Sequence, residues 1–158
     1  MTIPIILASA SDIRSQLLRN ADIEHVVIPA RIDEEMIKTS LSSEGTAPRD
    51  IADALAEQKA KKISLKYPNS FVIGSDQILD FQGQAYSKSL SPKCLVKFLV
   101  KLNGKSHQLY SAAVIYRGGR PVWRHIGKAT LAMRELSQDY ISTYVSSEWK
   151  NIRYCVGG

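Results

Sequence analysis

The chain has 158 residues, of which 44% are hydrophobic and 23% are charged. This length and composition are typical of one soluble globular domain over residues 1–158. No apolar run approaches the length of roughly 18 residues that is needed to cross a bilayer. Its two cysteines lack C-x-x-C spacing, which argues against a disulfide framework or a zinc site and predicts a reducing, cytoplasmic compartment. The net charge of +6 favours anionic partners such as nucleotides, nucleic acid or acidic lipid, and it fits an excess of solvated lysines equally well.

The first part of the chain alternates short apolar strands with helical patterns. Residues 3–8 predict a strand, and Ser11 followed by an aspartate predicts the capped start of a helix that reaches Asn20. A second strand is expected at 25–28. Residues 32–45 are acidic and then polar, which predicts an irregular segment or a short helical turn.

The middle of the chain contains the longest helical pattern. Pro48 suits a first helical position, and the helix is expected to run to about Lys66. A third apolar strand is predicted at 71–75 and is followed by Asp76. Residues 78–81 can continue extended after it.

The last part of the chain predicts two capped helices and a hairpin. Ser91 and Ser137 are the capping residues, and Asn103 with the next glycine ends the first of these helices. Strands at 109–116 and 122–133 flank a Gly-Gly turn. Together these elements predict an α/β (mixed α+β) domain in which helices flank a twisted, mixed central sheet.

A candidate phosphate site follows the first strand. Ser9 and Ser11 are small hydroxyl residues at the start of a helix, where backbone N–H groups and the helix dipole attract anions. Arg14 lies one turn further and can fork onto a phosphate. The simpler alternative is a helix cap beside a surface arginine.

Lys59 interrupts an apolar pattern. On the long helix, Ile51, Leu55 and Ile63 form one stripe, and Lys59 falls at its centre at about 100° per residue. A lysine in this position either extends its head to solvent or meets an anion inside the protein.

Two acidic positions and one more lysine are candidates for chemistry. Asp76 directly follows an apolar strand, where a carboxylate can hold a divalent cation or accept a proton from water, although a turn aspartate is the simpler interpretation. The acidic run 33–35 can supply a metal ligand or be solvated. Lys88 can reach a phosphate or be an ordinary exposed lysine.

These segments together resemble the motifs of the Maf family, in the same order and over nearly the whole chain. The matching segments are Leu-Ala-Ser-Ala-Ser-Asp-Ile-Arg at 7–14 with the Leu pair at 17–18, Ile-Asp-Glu at 32–34, Leu-Ala-Glu-Gln-Lys-Ala at 55–60, Val-Ile-Gly-Ser-Asp-Gln at 72–77, Lys88, and Leu-Asn-Gly-Lys-Ser-His at 102–107.

The resemblance implies an ITPase-like fold with two lobes around a deep cleft, and hydrolysis of nucleoside triphosphates to the monophosphate and pyrophosphate with Mg²⁺ or Mn²⁺. It implies that Asp76 accepts the proton of the attacking water or binds the metal, and that Glu34 assists with metal or water. The residues that it assigns to the substrate are Ser9, Ser11, Arg14, Lys59 and Lys88. A triphosphate carries about four negative charges, so three cationic side chains and a metal ion are a suitable complement.

Departures from the motif bear on specificity. Ile13 stands where a pyrimidine-type branch has arginine, and Gln77 stands where that branch has threonine. The Gly-Ser-Asp-Gln block resembles the branch that acts on 7-methyl-GTP. The family's C-terminal Gln-Gly segment is missing after a strand-like stretch at 153–156, so we expect the domain to lack its C-terminal segment.

The expected partner is a nucleoside triphosphate, with no nucleic acid and no membrane, in a monomer or homodimer. Nucleic-acid binding is disfavoured because the aromatic residues are scattered and offer no stacking platform. An alternative that keeps the fold is a catalytically weak, nucleotide-binding regulator linked to cell division.

Overall fold

The computed structural model describes residues 3–158, which form a six-stranded sheet with helices packed against it. The strands are β1 (Ile5–Leu7), β2 (Val26–Val27), β3 (Phe71–Phe81), β4 (Gln84–Tyr86), β5 (Ser106–Arg117) and β6 (Arg120–Ala132). The helices are α1 (Asp12–Asn20), α2 (Glu34–Ser43), α3 (Pro48–Ser64), α4 (Pro92–Leu102) and α5 (Gln138–Ile152). None of the helices within residues 3–158 has the length and apolar composition of a membrane span.

The sheet is mixed, which confirms the predicted fold class. Its strand order is β2-β1-β3-β5-β6, and β4 pairs separately with β3. β1 runs parallel to both β2 and β3, whereas β3, β5 and β6 form an antiparallel set. The chain therefore begins with an α/β arrangement, and a long hairpin of β5 and β6 follows before the last helix.

The central strand β3 has one interrupted edge. One edge pairs with β5 continuously from Val72 to Asp80. The other edge pairs with β1 at residues 71–73 and with β4 at residues 79–81. Between these pairings, residues 74–78 have no partner strand on that edge within the described part of the chain. Asp76 lies at the middle of this gap.

The two faces of the sheet are covered by different helices. On one face, α3 buries Leu55 against Ile78 and Val114. On the other face, α4 covers the end of β3, where Phe98 packs with Leu79. Fully burying a large apolar side chain such as Leu55 stabilises the fold by roughly 1.5–3 kcal/mol. The contacts of Leu55 therefore fix the position of α3 on the sheet.

Residues 32–45 differ from the sequence prediction, because they contain the ten-residue helix α2. Asp33 caps this helix, since its Oδ1 accepts a hydrogen bond of 3.0 Å from the Met36 backbone N–H. Ile37 and Leu41, one helical turn apart, pack against the cluster on α3. The helix thus depends on packing that the polar local sequence does not reveal.

Two strand predictions were also wrong. The predicted strand at 71–75 continues without a break to Phe81, so Asp76 lies within β3 and does not follow it. Residues 153–156 are turns after α5 and not a strand. The capped starts of α1, α4 and α5 at Ser11, Ser91 and Ser137 are confirmed.

Candidate active site

A buried lysine joins two carboxylates at the gap in the sheet. Lys59 is only 5% exposed, and its Nζ lies 2.7 Å from Asp76 Oδ1 and 3.0 Å from Glu34 Oε1. Asp76 is 6% exposed, whereas the Glu34 side chain is half-exposed. The lysine in the apolar stripe therefore meets anions inside the protein. Removing one partner of such a buried pair costs about 3–5 kcal/mol, because a charge is left uncompensated.

A close contact between α3 and β3 brings Lys59 to Asp76. A Cβ at Gly74 would lie 2.0 Å from the Ala56 carbonyl oxygen and 2.7 Å from the Ala60 backbone nitrogen. Only glycine permits this approach of a helix to a strand. Gly74 and Asp76 are two residues apart and so face the same side of β3, towards α3. The backbone contact thus sets the position of Lys59 above the carboxylate.

The start of α1 forms a polar group beside this cluster. Ser9 is 5% exposed, and its Oγ accepts a hydrogen bond of 3.0 Å from Arg14 Nη1 and one of 3.2 Å from the Ser11 backbone N–H. Ser11 caps the helix by accepting a hydrogen bond of 3.5 Å from the Arg14 backbone N–H. The hydroxyl, the guanidinium and the helix N-terminus are therefore presented together.

The pKa of Asp76 responds both to its carboxylate–lysine cluster and to Arg14 at the start of α1. Burial raises the pKa of Asp76 above its usual value, and the charge of Lys59 and its hydrogen bond oppose this shift. Glu34 raises the same pKa and Arg14 lowers it, so the guanidinium acts on the carboxylate. Pairing of Leu7 with Ile73 holds β1 next to β3 and places the α1 start beside the gap.

Three other sequence candidates have no hydrogen bond or ion pair with Lys59, Asp76 or Glu34 in the structure of residues 3–158. Lys88 is exposed in the loop after β4. Gln77 faces the opposite side of β3 from Asp76, and its Nε2 donates a hydrogen bond of 2.8 Å to Ser111 Oγ. Ile13 is 53% exposed on α1. Their assigned roles remain predictions from the sequence.

Lys38 is a residue that sequence reasoning missed. It lies one turn after Glu34 on α2, and its Nζ is 2.7 Å from Glu35 Oε2 and 3.1 Å from Ser87 Oγ. It therefore ties the helix that carries Glu34 to the loop that carries Lys88. The i,i+3 spacing of Glu35 and Lys38 predicts their ion pair only when residues 34–43 are recognised as a helix.

The carboxylates offer oxygens that suit a small divalent cation. Lys59 contacts one oxygen of each carboxylate, which leaves Asp76 Oδ2 and Glu34 Oε2 for other ligands. Within residues 3–158, no group of three or more His, Cys, Asp or Glu side chains is arranged around a metal position. Mg²⁺ is commonly held by one or two carboxylates together with substrate phosphates and water, so two carboxylates fit this manner of binding.

The fold and these residues define an α/β domain in which the polar start of helix α1 accompanies a buried carboxylate–lysine cluster. Residues 4–158 match the family model described as Maf-like protein, and the chain belongs to that family.

Two curated relatives show the extent of the similarity. The chain is 53% identical to the nucleoside triphosphate pyrophosphatase of Ruegeria pomeroyi over 100% of its own length and 79% of that protein. It is 41% identical to the 7-methyl-GTP pyrophosphatase of Brucella abortus over 92% of the chain and 73% of that protein. Among solved structures, the Ham1 protein of Staphylococcus aureus aligns with a TM-score of 0.45 and 16% identity over 82% of this chain and 70% of that one.

Proposed function

We propose that this protein is a nucleoside triphosphate pyrophosphatase that hydrolyses the anhydride between the α- and β-phosphates, releasing a nucleoside monophosphate and pyrophosphate. The observation that carries the proposal is the buried contact of Lys59 with Asp76 and Glu34, together with Arg14, which acts on Asp76 and contacts Ser9. The names of the two relatives support the same reaction.

The triphosphate binds at the start of α1. Its oxygens accept hydrogen bonds from Ser9, from the backbone N–H groups of the helix N-terminus and from the Arg14 guanidinium. Lys59 supplies a further positive charge from the buried side. Lys88 reaches the same phosphates only if the loop after β4 closes over the substrate.

Asp76 provides the base. Burial raises its pKa, which makes its carboxylate a better proton acceptor than that of an exposed aspartate. A water held by Asp76 attacks the α-phosphorus, and its proton passes to the carboxylate. The bond from the α-phosphorus to the bridging oxygen breaks, and that electron pair leaves with pyrophosphate. Glu34 orients the water, and before the substrate binds it also holds Lys59.

Asp76 and Glu34 are the residues that would hold a divalent cation, Mg²⁺ or Mn²⁺, with the substrate phosphates completing its ligands. When bound, it neutralises the charge that develops on the leaving pyrophosphate. The preferred substrate is a purine or modified nucleotide such as 7-methyl-GTP, an inference that rests on the Gly-Ser-Asp-Gln block and on the Brucella abortus relative. The cytoplasm, where such nucleotides arise, is the compartment that suits this activity.

Pyrophosphate release from a panel of triphosphates, including 7-methyl-GTP, tests the proposal. Each nucleotide is incubated with Mg²⁺ or Mn²⁺ and either the wild type, Asp76→Asn or Asp80→Asn. Asp80 is a matched control on the same strand, because its Oδ1 accepts a hydrogen bond of 2.8 Å from the Gly83 N–H and asparagine retains this acceptor. We expect turnover in the wild type and the control, and a loss of at least ~100-fold in Asp76→Asn. Equal turnover in all three proteins would refute the role of Asp76.

A further inference from the structure

We propose that in the nucleotide-free protein the Lys59 ammonium occupies the cation position between Asp76 and Glu34, and that a divalent ion enters only when Lys59 moves to the triphosphate. This inference rests on the proposed function, because it concerns how the same site acquires its metal.

The geometry places Lys59 where a metal ion would need its ligands. Its Nζ lies 2.7 Å from Asp76 Oδ1 and 3.0 Å from Glu34 Oε1, so one cation bridges the two carboxylates. The Lys59 side chain is only 5% exposed, so the two carboxylates replace most of the solvation of its ammonium. The lysine is thus held by the same two groups that suit Mg²⁺.

Two cations at this position disfavour each other. Mg²⁺ binds carboxylate oxygens at about 2.0–2.1 Å. An ammonium that is hydrogen-bonded to the same carboxylates would lie close enough to the ion for strong repulsion in a buried site. The local charge also disfavours a second cation. Lys59 neutralises one of the two carboxylates, and an added Mg²⁺ would give these three side chains and the ion a net positive charge. Binding of the metal is therefore favoured only if Lys59 finds another anion.

A bound triphosphate provides that anion. The backbone of α3 packs closely against β3 at Gly74, which places Lys59 directly over the site. The four-carbon stem of lysine, however, can swing its head within the site without backbone motion. Phosphate oxygens bound at Ser9 and Arg14 would accept the ammonium and release the carboxylates. Metal and nucleotide then bind cooperatively, because each favours the conformation that the other requires.

Binding of Mn²⁺ without nucleotide tests the exchange. Free Mn²⁺ is measured by electron paramagnetic resonance during titration of the wild type, Lys59→Met, Lys59→Arg and Lys61→Met. Lys61→Met is the matched control, because Lys61 is an exposed lysine on the same helix. We expect Lys59→Met to bind Mn²⁺ at least 10-fold more tightly than the wild type. Lys59→Arg, which keeps the cation, and the control should bind no more tightly than the wild type.

Two further variants locate the effect. Adding Glu34→Gln to Lys59→Met should abolish the gain in Mn²⁺ affinity, because one of the two carboxylates is lost. Lys59→Gln is a second neutral variant, and circular dichroism identifies any variant that does not fold. Unchanged or weaker Mn²⁺ binding in the folded neutral variants would overturn the proposal.

The result is separable from the proposed catalytic function. Pyrophosphate release by the wild type reports the function, whereas the Mn²⁺ titration needs no nucleotide. If the exchange is right, Lys59→Met combines tighter Mn²⁺ binding with reduced turnover. If the wild type releases no pyrophosphate, the catalytic proposal fails whatever the titration gives.

Discussion

Replacing Gly74 with alanine should displace α3 from the sheet and so uncouple Lys59 from Asp76. The added Cβ would lie 2.0 Å from the Ala56 carbonyl oxygen, 2.7 Å from the Ala60 backbone nitrogen and 2.9 Å from the Ala60 Cβ. Restoring a normal contact of about 3.5 Å requires the helix to move by roughly 1.5 Å. Flexible side chains cannot relieve the contact, because its nearest atoms belong to the backbone.

The magnitude follows from this displacement. Overpacking of a core typically costs about 1–3 kcal/mol, and we expect a loss at the upper end of this range for Gly74→Ala. A displacement of about 1 Å at a catalytic group can cost roughly 100-fold in rate, so turnover per folded molecule should fall by at least that factor.

The assay combines urea unfolding followed by circular dichroism with pyrophosphate release at a concentration of urea where the variant is folded. Gly127→Ala is the control, because the nearest atom to its added Cβ is 3.8 Å away and the residue also lies within a strand. The control should retain wild-type stability within about 1 kcal/mol. Wild-type stability and turnover in Gly74→Ala would refute the argument that this contact positions Lys59.

Three further predictions concern binding and stability. Arg14→Lys removes the forked donor that contacts Ser9. A hydrogen bond to a charged group is worth roughly 1.5–3 kcal/mol, so the KM for the triphosphate should rise about 10-fold or more. An unchanged KM would show that Arg14 does not bind the substrate. Burial, together with the hydrogen bond to Glu57, raises the pKa of Tyr116 to about 12 from 10.0, so its contribution to stability is complete below pH 10 and is lost as the pH rises through 12. Urea midpoints of the wild type should therefore fall more steeply than those of Tyr116→Phe between pH 10 and 12, and parallel curves would contradict this. Asn103→Ala removes two hydrogen bonds of 2.8 Å to the Leu136 backbone and should cost about 1–3 kcal/mol in the free energy of unfolding, with turnover per folded molecule unchanged.

Local patterns in the sequence were enough to predict part of the site. Lys59 interrupts an apolar stripe, which predicts either a head that reaches solvent or one that meets an anion, and the structure shows the second outcome. The cap at Ser11 was predicted from residue type and confirmed by its hydrogen bond. The apolar stripe and the cap are each a property of a single helix, so they depend on residues that are close together in the chain.

The remaining features depend on pairing between distant segments. The apolar run predicts that the strand ends before Asp76, yet nine consecutive register pairs with β5 keep the chain extended from Val72 to Asp80. Helix α2 was missed because Ile37 and Leu41 are its main apolar contacts and they pack on α3. The choice of Asp76 and Glu34 as partners of Lys59 is likewise set by tertiary packing.

The position of cleavage, between the α- and β-phosphates, is tested most directly by ³¹P nuclear magnetic resonance of the products. A single triphosphate is followed with the wild type and with Asp76→Asn in the presence of Mg²⁺. We expect monophosphate and pyrophosphate resonances to grow together in equal amounts with the wild type and to fail to grow with Asp76→Asn. Formation of nucleoside diphosphate and inorganic phosphate, or equal product formation by the variant, would contradict this expectation.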